Sequence, residues 1–250
     1  MLPFRTRMPP KTPIDATDLA TTGEERPRIS FVVETCNIAP GQSFDGIDRA
    51  LASVARQTLE ATAIEVLVMN DSSRLPYLGA HLERSAPRVR VVDCPGLHYY
   101  AQKNHGARLA RAEIVAFVDA DCDPAPEWAQ AVLDTFSRGG DSVVAVQGRY
   151  LTHSLSHSVL ARAFLVTTFG HQAASTDRAI PSLAASNCAF RRYEIVERPF
   201  REDAFFHGPD VAKAAELGAR GKTIQLAAGA VNLHDHEPGL RAQHVRGVYW

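Results

Sequence analysis

The chain has 250 residues, with 27 basic and 28 acidic side chains, a net charge of −1, 45% hydrophobic residues and 22% charged ones. That balance is ordinary for a globular protein built as one domain or a closely joined pair, and it offers no positive surface for nucleic acid or an anionic membrane. Cys36, Cys94, Cys122 and Cys188 lie far apart with no Cys-x-x-Cys pair, which excludes a zinc cluster of ordinary spacing and fits reduced thiols better than a disulfide framework. No apolar run has the length of a membrane span and the first residues lack a signal-peptide core, so a soluble, cytoplasmic chain without an integral membrane segment is expected.

In chain order, residues 1–28 carry five prolines, both charge signs and little periodicity, and read as a flexible N-terminal arm. Ile29–Thr35 (ISFVVET) is rich in β-branched and aromatic residues and predicts the first strand, followed by a polar loop over Cys36–Ser43. Ile47, Leu51, Val54 and Ala55 fall at helical spacing within Phe44–Gln57. Ile64–Met69 predicts a second strand that ends at Asn70-Asp71-Ser72-Ser73, Leu75–Arg84 a short helix, and Val89–Val92 a third strand. An amphipathic helix follows from Tyr99 to about Ala110, with Gln102, Lys103 and Asn104 on its first turns.

Ile114–Val118 is apolar throughout and suits a central parallel strand buried on both faces. It runs directly into Asp119-Ala120-Asp121-Cys122-Asp123-Pro124. Unpaired carboxylates cannot continue inside such a strand, so it ends at Asp119. Open α/β sheets bind ligands just outside the carboxyl ends of their strands. Asp119 and Asp121 therefore have two readings: hard oxygen donors for Mn²⁺ or Mg²⁺ beside substrate phosphates, or aspartates that favour a turn. Cys122 and Asp123 read as turn residues. Pro126–Arg138 predicts the next helix, and the alternation of elements implies a doubly wound, mostly parallel sheet.

The second half is less regular. Ser142–Val146 reads as a strand, Ser158–Gln172 as a helix, and Leu183–Phe190 as a run of small residues leading to Arg191-Arg192. His207-Gly208-Pro209-Asp210 opens a helix to about Leu217, since proline and an acidic residue both suit a helix start. Thr223–Leu226 and Ala230–Leu233 read as short strands before His234-Asp235-His236, and Leu240–Trp250 as a possible last helix.

Several of these stretches together resemble family 2 glycosyltransferases, the inverting group with a GT-A fold. ISFVVETCN resembles the family's first strand and its V-P-T-Y-N-like ending, with Glu34 and Cys36 where Pro and Tyr are usual. EVLVMNDSS resembles the strand ending D-D-G-S, with Asn70 for the first Asp. GLHYYAQKNHGARLARAEIVAFVDAD resembles the G-x-x-x-A-R-N-x-G helix and the strand to D-x-D, with Lys103 for Arg. SNCAFRR resembles G-N-x-A-F-R-R, and HGPDVAKAAEL resembles the helix start G-E-D-x-x-L, with Pro209 for Glu and Asp210 kept. The resemblance runs from about Arg28 to His236. It implies a GT-A fold with a nucleotide-sugar-binding half over 29–125 and an acceptor-binding half over 126–250.

The function so implied is metal-dependent, inverting transfer of a sugar from a nucleoside-diphosphate sugar, a uridine diphosphate sugar foremost, to a hydroxyl of a sugar, lipid-linked or small-molecule acceptor. Asp210 is the candidate general base, with a helix cap as the alternative. Thr35, Asn70, Asp71, Lys103, Asp119 and Ala120 are candidates for donor binding. For Asn70 and Asp71 the alternative is a turn, and for Lys103 a solvated helix lysine. Asp119, Asp121 and His234 are the candidate ligands of Mn²⁺ or Mg²⁺, with His234 otherwise structural. Gln243 and Arg246 match the spacing of the processive members' Q-x-x-R-W, but Gly247 follows, so the transfer is expected to be non-processive. The rival reading is a non-catalytic GT-A domain that binds a nucleotide or a partner protein. A nucleotidyltransferase would want basic residues after the first strand, and Cys36–Ser43 has none.

Overall fold

The computed structural model describes residues 26–86, 88–151, 170–172, 174–202 and 208–234. Residues 1–25 of the arm expected over 1–28, residues 158–169 of the helix expected over Ser158–Gln172 and the C-terminal helix lie outside the described residues; 170–172 form a turn rather than helix. The strands are β1 (Ile29–Glu34), β2 (Ile64–Asn70), β3 (Arg90–Asp93), β4 (Ile114–Asp119), β5 (Cys122–Pro124), β6 (Val143–Leu151), β7 (Arg178–Ala179), β8 (Asn187–Arg191) and β9 (Thr223–His234). The helices are α1 (Asp45–Ala55), α2 (Leu78–Ser85), α3 (Tyr99–Leu109), α4 (Trp128–Gly139), α5 (Arg192–Glu197) and α6 (Pro209–Ala219).

The α/β sheet expected from the sequence is present, in the order β3-β2-β1-β4-β8-β6-β9-β5, with β7 paired to β9. Its first half, β3-β2-β1-β4, is parallel throughout. β8 then runs antiparallel between β4 and β6, while β6 and β9 are parallel. The mixed character comes from this second half.

Three sequence expectations are corrected. Cys122 and Asp123 are strand rather than turn residues: β5 pairs antiparallel with the end of β9, setting Cys122 opposite His234. The two short strands expected over 223–233 form one strand, broken in register where Gly148 pairs with Ala227 but Arg149 with Val231. Arg192 begins a short helix rather than a basic turn.

Buried apolar side chains cover both faces of the sheet. On one face Val32, Leu67, Met69, Val115 and Phe117 pack with α3, α5 and α6; on the other Phe31, Ala116 and Val118 pack with α4, and Val33 and Val68 with α1 and α2. α3 lies close because of one residue. A Cβ at Gly106 would overlap Val32 Cγ1 and stand 3.2 Å from Met69 Sδ. The absence of that methyl lets the helix backbone settle onto β1 and β2 at the point where these strands end.

Candidate active site

The site forms where β1, β2 and β4 end in polar residues beneath the first turns of α3. Parallel registry sets Glu34 opposite Asp119 on one side and opposite Met69 on the other. Alternation along β1 and β4 turns Glu34 and Asp119 to the face that α3 covers. There the ammonium of Lys103, wholly buried, lies 2.7 Å from Asp119 Oδ1. The hydroxyl of Tyr99, one helical turn earlier, sits 3.0 Å from both Asp119 oxygens. Lys103 Nζ is also 4.5 Å from the centroid of the Tyr99 ring. The i, i+4 spacing of Tyr99 and Lys103 is what lets one helix face grip one carboxylate from two directions.

The electrostatics follow from this crowding. Burial alone would favour neutral lysine, yet the charge of Asp119 and its 2.7 Å hydrogen bond outweigh it and hold the Lys103 pKa above the ordinary value. Burial, with Asp119 beside it, pushes the Glu34 carboxyl well up, against the pull of Lys103. Glu34 Oε2 accepts the Cys36 N–H at 2.7 Å, while Oε1 is buried without a hydrogen-bond partner. Lys103 and Asp119 thus form an ion pair, with Glu34 beside them favoured as the neutral acid. Burial pushes the Tyr99 phenol well up, with help from Asp119 and Glu34, so it remains a donor to Asp119. Cys36, on the loop after β1, has its thiol raised to about 12 by burial and by Glu34.

Asp210 comes from the other half of the chain, in the first turn of α6. Its Oδ1 accepts the Val211 N–H at 2.9 Å, and its Oδ2 receives a long bond of 3.4 Å from the Ala185 N–H. Tyr100 lies near this carboxylate: burial, with Asp210 beside it, raises the Tyr100 phenol. Burial raises the Asp210 carboxyl above the ordinary value, and these hydrogen bonds only partly offset it. The rings of Tyr99 and Tyr100 meet edge to face with centroids 4.8 Å apart. Consecutive residues of one helix therefore serve the two halves of the site, Tyr99 bonding to Asp119 and Tyr100 lying near Asp210.

The remaining candidates are distributed as follows. Thr35 is buried, its N–H bonded to Gln102 Oε1 at 3.1 Å and its hydroxyl to the Met69 carbonyl at 2.8 Å. Asn70 closes β2 with its Oδ1 buried and without a hydrogen-bond partner. Asp71 Oδ1 accepts the N–H and hydroxyl of Ser73, a turn arrangement that lowers its pKa despite burial. Ala120 is buried against Ile47 and Val33, and its carbonyl lies under Gly46 of α1. Lys103 is not a solvated helix lysine, since its ammonium faces Asp119. Asp121 is half-buried beside β5. The β5–β9 register brings the backbone of His234 next to that of Asp121, although the two are more than a hundred residues apart in the chain; the His234 side chain lies outside the described residues.

Sequence reasoning missed Tyr99, Tyr100 and the role of Glu34. The one available signal was Glu34 itself, a carboxylate at the end of an apolar strand. Asn104, noted only as a first-turn polar residue, clamps the segment leading towards α6: its amide donates to Phe200 O at 2.9 Å and accepts Phe200 N–H at 3.0 Å.

The sequence profile of glycosyl transferase family 2 matches residues 30–197, which takes in the carboxyl ends of β1, β2 and β4 but stops before α6 with Asp210 and β9 with His234. The chain belongs to this family. Curated relatives agree with that membership. A validoxylamine A glucosyltransferase of Streptomyces hygroscopicus subsp. jinggangensis is 31% identical over 110 residues, 43% of this chain and 25% of that protein. Glycosyltransferase AglE of Haloferax volcanii is 25% identical over 121 residues, 47% of this chain and 38% of that protein. Putative glycosyltransferase EpsH of Bacillus subtilis is 27% identical over 122 residues, 48% of this chain and 33% of that protein. The matches thus span well under half of each relative's length. The sheet described above is the α/β sheet of this glycosyltransferase family, and among the described residues no helix is long and apolar enough to cross a membrane.

A divalent ion is implied by the resemblance, and the donor set can be tested against it. Asp119 and Asp121 are hard oxygen donors at one strand end, and the His234 backbone adjoins Asp121. Among the described residues, no three His, Cys, Asp or Glu side chains converge as a complete metal cage. An ion of the Mg²⁺ or Mn²⁺ type takes one or two carboxylates from a protein and its further ligands from phosphates and water, and Asp119 and Asp121 could supply those carboxylates.

Proposed function

We propose that this glycosyltransferase domain moves a sugar from a nucleoside-diphosphate donor to an acceptor hydroxyl, with inversion and without processivity. The observation that carries the proposal is that the start of α3 lies against both carboxylates: Tyr99 and Lys103 bond to Asp119 at the end of β4, and Tyr100 adjoins Asp210 at the start of α6. A donor-side carboxylate and a base candidate from the two halves of the chain thereby flank one helix start, as attack on one face and departure from the other require. Asp210 takes the proton of the attacking hydroxyl. Its raised pKa suits a base working nearer neutral pH than an exposed aspartate would. The donor lies across the ends of β1, β2 and β4, near Thr35, Asn70, Asp71, Lys103, Asp119 and Ala120, and a uridine diphosphate sugar is the foremost candidate.

Mn²⁺ or Mg²⁺, when bound, supplies charge neutralisation for the departing diphosphate. Asp121, with His234 in support, would hold it. Asp119, whose oxygens are engaged by Lys103 and Tyr99, would supply the second carboxylate.

A thermal-shift panel of nucleoside diphosphates and their sugars, with and without Mn²⁺, tests the donor and the metal together. Asp121→Ala should remove only the metal-dependent part of the shift; equal loss with and without metal would count against coordination. Asp210→Asn should leave donor affinity nearly unchanged while turnover falls by about two to four orders of magnitude. Binding without turnover of any sugar nucleotide by the unaltered chain would replace this reading with a non-catalytic GT-A domain.

A further inference from the structure

Asn104 is the last of three consecutive polar residues on α3, after Gln102 and Lys103, and all three are buried. Gln102 bonds to the end of β1 and Lys103 to the end of β4. Asn104 turns instead to the other half of the chain. Its amide oxygen accepts the Phe200 N–H at 3.0 Å, and its amide nitrogen donates to the Phe200 carbonyl at 2.9 Å and to Glu202 Oε1 at 2.8 Å. One side chain thus pairs with the Phe200 backbone as a neighbouring strand would. A buried amide is costly unless its polar atoms are met, and a fully met one specifies a single arrangement of the groups around it.

The Phe200 side chain is held as well as its backbone. Its ring centroid lies 5.4 Å from that of Tyr100, 5.6 Å from that of Phe117 on β4 and 5.7 Å from that of Phe190 on β8. Two residues earlier, the Arg198 carbonyl receives the buried ammonium of Lys213 at 2.6 Å. Lys213 follows Asp210 by three residues on α6, about one helical turn. A short series of contacts, from Asn104 to Phe200 and from Arg198 to Lys213, therefore joins the donor-side helix to the helix that carries the base candidate, and residues 203–207 are no part of it. We propose that Asn104 is a positioning residue for the transfer reaction: it fixes where the residues before α6 rest on α3, and so where Asp210 stands relative to the strand ends on the donor side. The proposal rests on the reading of Asp210 as general base. A misplacement of about 1 Å between reacting groups can cost about a hundredfold in rate.

Reciprocal exchange of amide and carboxylate tests this. Asn104→Asp keeps an acceptor for the Phe200 N–H but sets a second carboxylate against Glu202, and Glu202→Gln returns an amide to face it. Turnover is read as nucleoside diphosphate released from the sugar nucleotide that gives the largest shift in the thermal-shift panel, with p-nitrophenyl glycosides as acceptors. Asn104→Asp should lower kcat by about tenfold to a hundredfold while donor affinity stays unchanged. Glu202→Gln, which still offers an oxygen to the Asn104 amide, should cost less, and the double variant should recover most of the loss. Asn104→Ser, which adds no buried charge, should also lower kcat and serves if Asn104→Asp does not fold. A lowered urea midpoint with kcat unchanged would leave Asn104 a purely structural residue and overturn the proposal. A double variant as slow as Asn104→Asp would overturn it too, as would a loss of donor affinity equal to the loss of turnover. Full turnover by Asp210→Asn overturns the base assignment, and the positioning role with it; an inactive Asp210→Asn beside a fully active Asn104→Asp overturns the positioning role alone.

Discussion

At the scale of single residues, the site's unusual member is Glu34. A carboxyl without exposure, beside Asp119 and with one oxygen lacking a partner, is a cost that the Lys103 ammonium only partly relieves. Its folded pKa lies above the ordinary carboxylate value, so the native state keeps a proton that the unfolded chain releases. Stability therefore falls as pH rises from the ordinary glutamate value towards the folded one, and stays reduced above it. Glu34→Gln mimics the neutral acid and escapes this loss. Urea midpoints in chelator should show the variant ahead of the parent at pH 8, with the gap shrinking as pH falls towards the ordinary glutamate value of about 4.3. A gap that widens in acid would mean that Glu34 is ionised in the folded chain.

At the scale of elements, α3 is the part on which the site depends. It holds Thr35 through Gln102, Asp119 through Tyr99 and Lys103, and the approach to α6 through Asn104. Its closeness to the sheet depends on Gly106, where a methyl would overlap Val32. Gly106→Ala should destabilise the fold by about 1–3 kcal/mol, the usual cost of overpacking a core. Because the helix must shift to relieve the overlap, donor binding should weaken too; chemical denaturation and the thermal-shift panel read the two effects separately. A stable Gly106→Ala chain with full donor binding would show that α3 tolerates displacement.

These same elements show why the sequence was only partly informative. β1, β2 and β4 were legible because strands buried on both faces must be apolar along their length and must end where charge begins. β5 was not, because Cys-Asp-Pro has the composition of a turn and becomes a strand only by pairing with Asn232–His234, over a hundred residues away. β9 read as two pieces because its middle, Ala227-Ala228-Gly229-Ala230, is small and bulged. Asp119, Asp121 and Asp210 stood out as carboxylates at predicted element ends. Tyr99 and Tyr100 did not, since a tyrosine in an amphipathic helix gains a role only when the packing sets a carboxylate against it.

At the scale of the whole molecule, α6 is fixed by charge as well as by packing. Glu194 on α5 is nearly buried, and Arg220, just after α6, reaches it with both terminal nitrogens, while Lys213 of α6 lies 3.6 Å away and donates to Arg198 O at 2.6 Å. Burial works against ionised Glu194, but the hydrogen bonds from Arg220 and the charge of Lys213 prevail and lower its pKa. The sign is opposite to that of Glu34: the stabilisation is complete above the ordinary carboxylate range and is lost as pH falls through the lower folded value. Glu194→Gln should therefore unfold at lower urea than the parent at pH 7, and the two midpoints should converge in acid. If they stay parallel down to pH 3, the cluster contributes no pH-dependent stability.

The pairing of β5 with β9 has a consequence for how the chain comes into being. β4 meets its second neighbour, β8, only about seventy residues later, and β5 meets β9 only when residues 232–234 have been made. At ordinary rates of synthesis, the interval between Asp119 and His234 is on the order of ten seconds. Throughout that interval the growing chain presents an open strand edge and an unfinished acidic rim. Closing them waits on contacts of long sequence separation, which are slow to form. A nascent chain halted between residues 125 and 220 should accordingly be caught by chaperones or proteases rather than fold into a nucleotide-binding half, and release of the last strand should be the event that makes it protease-resistant.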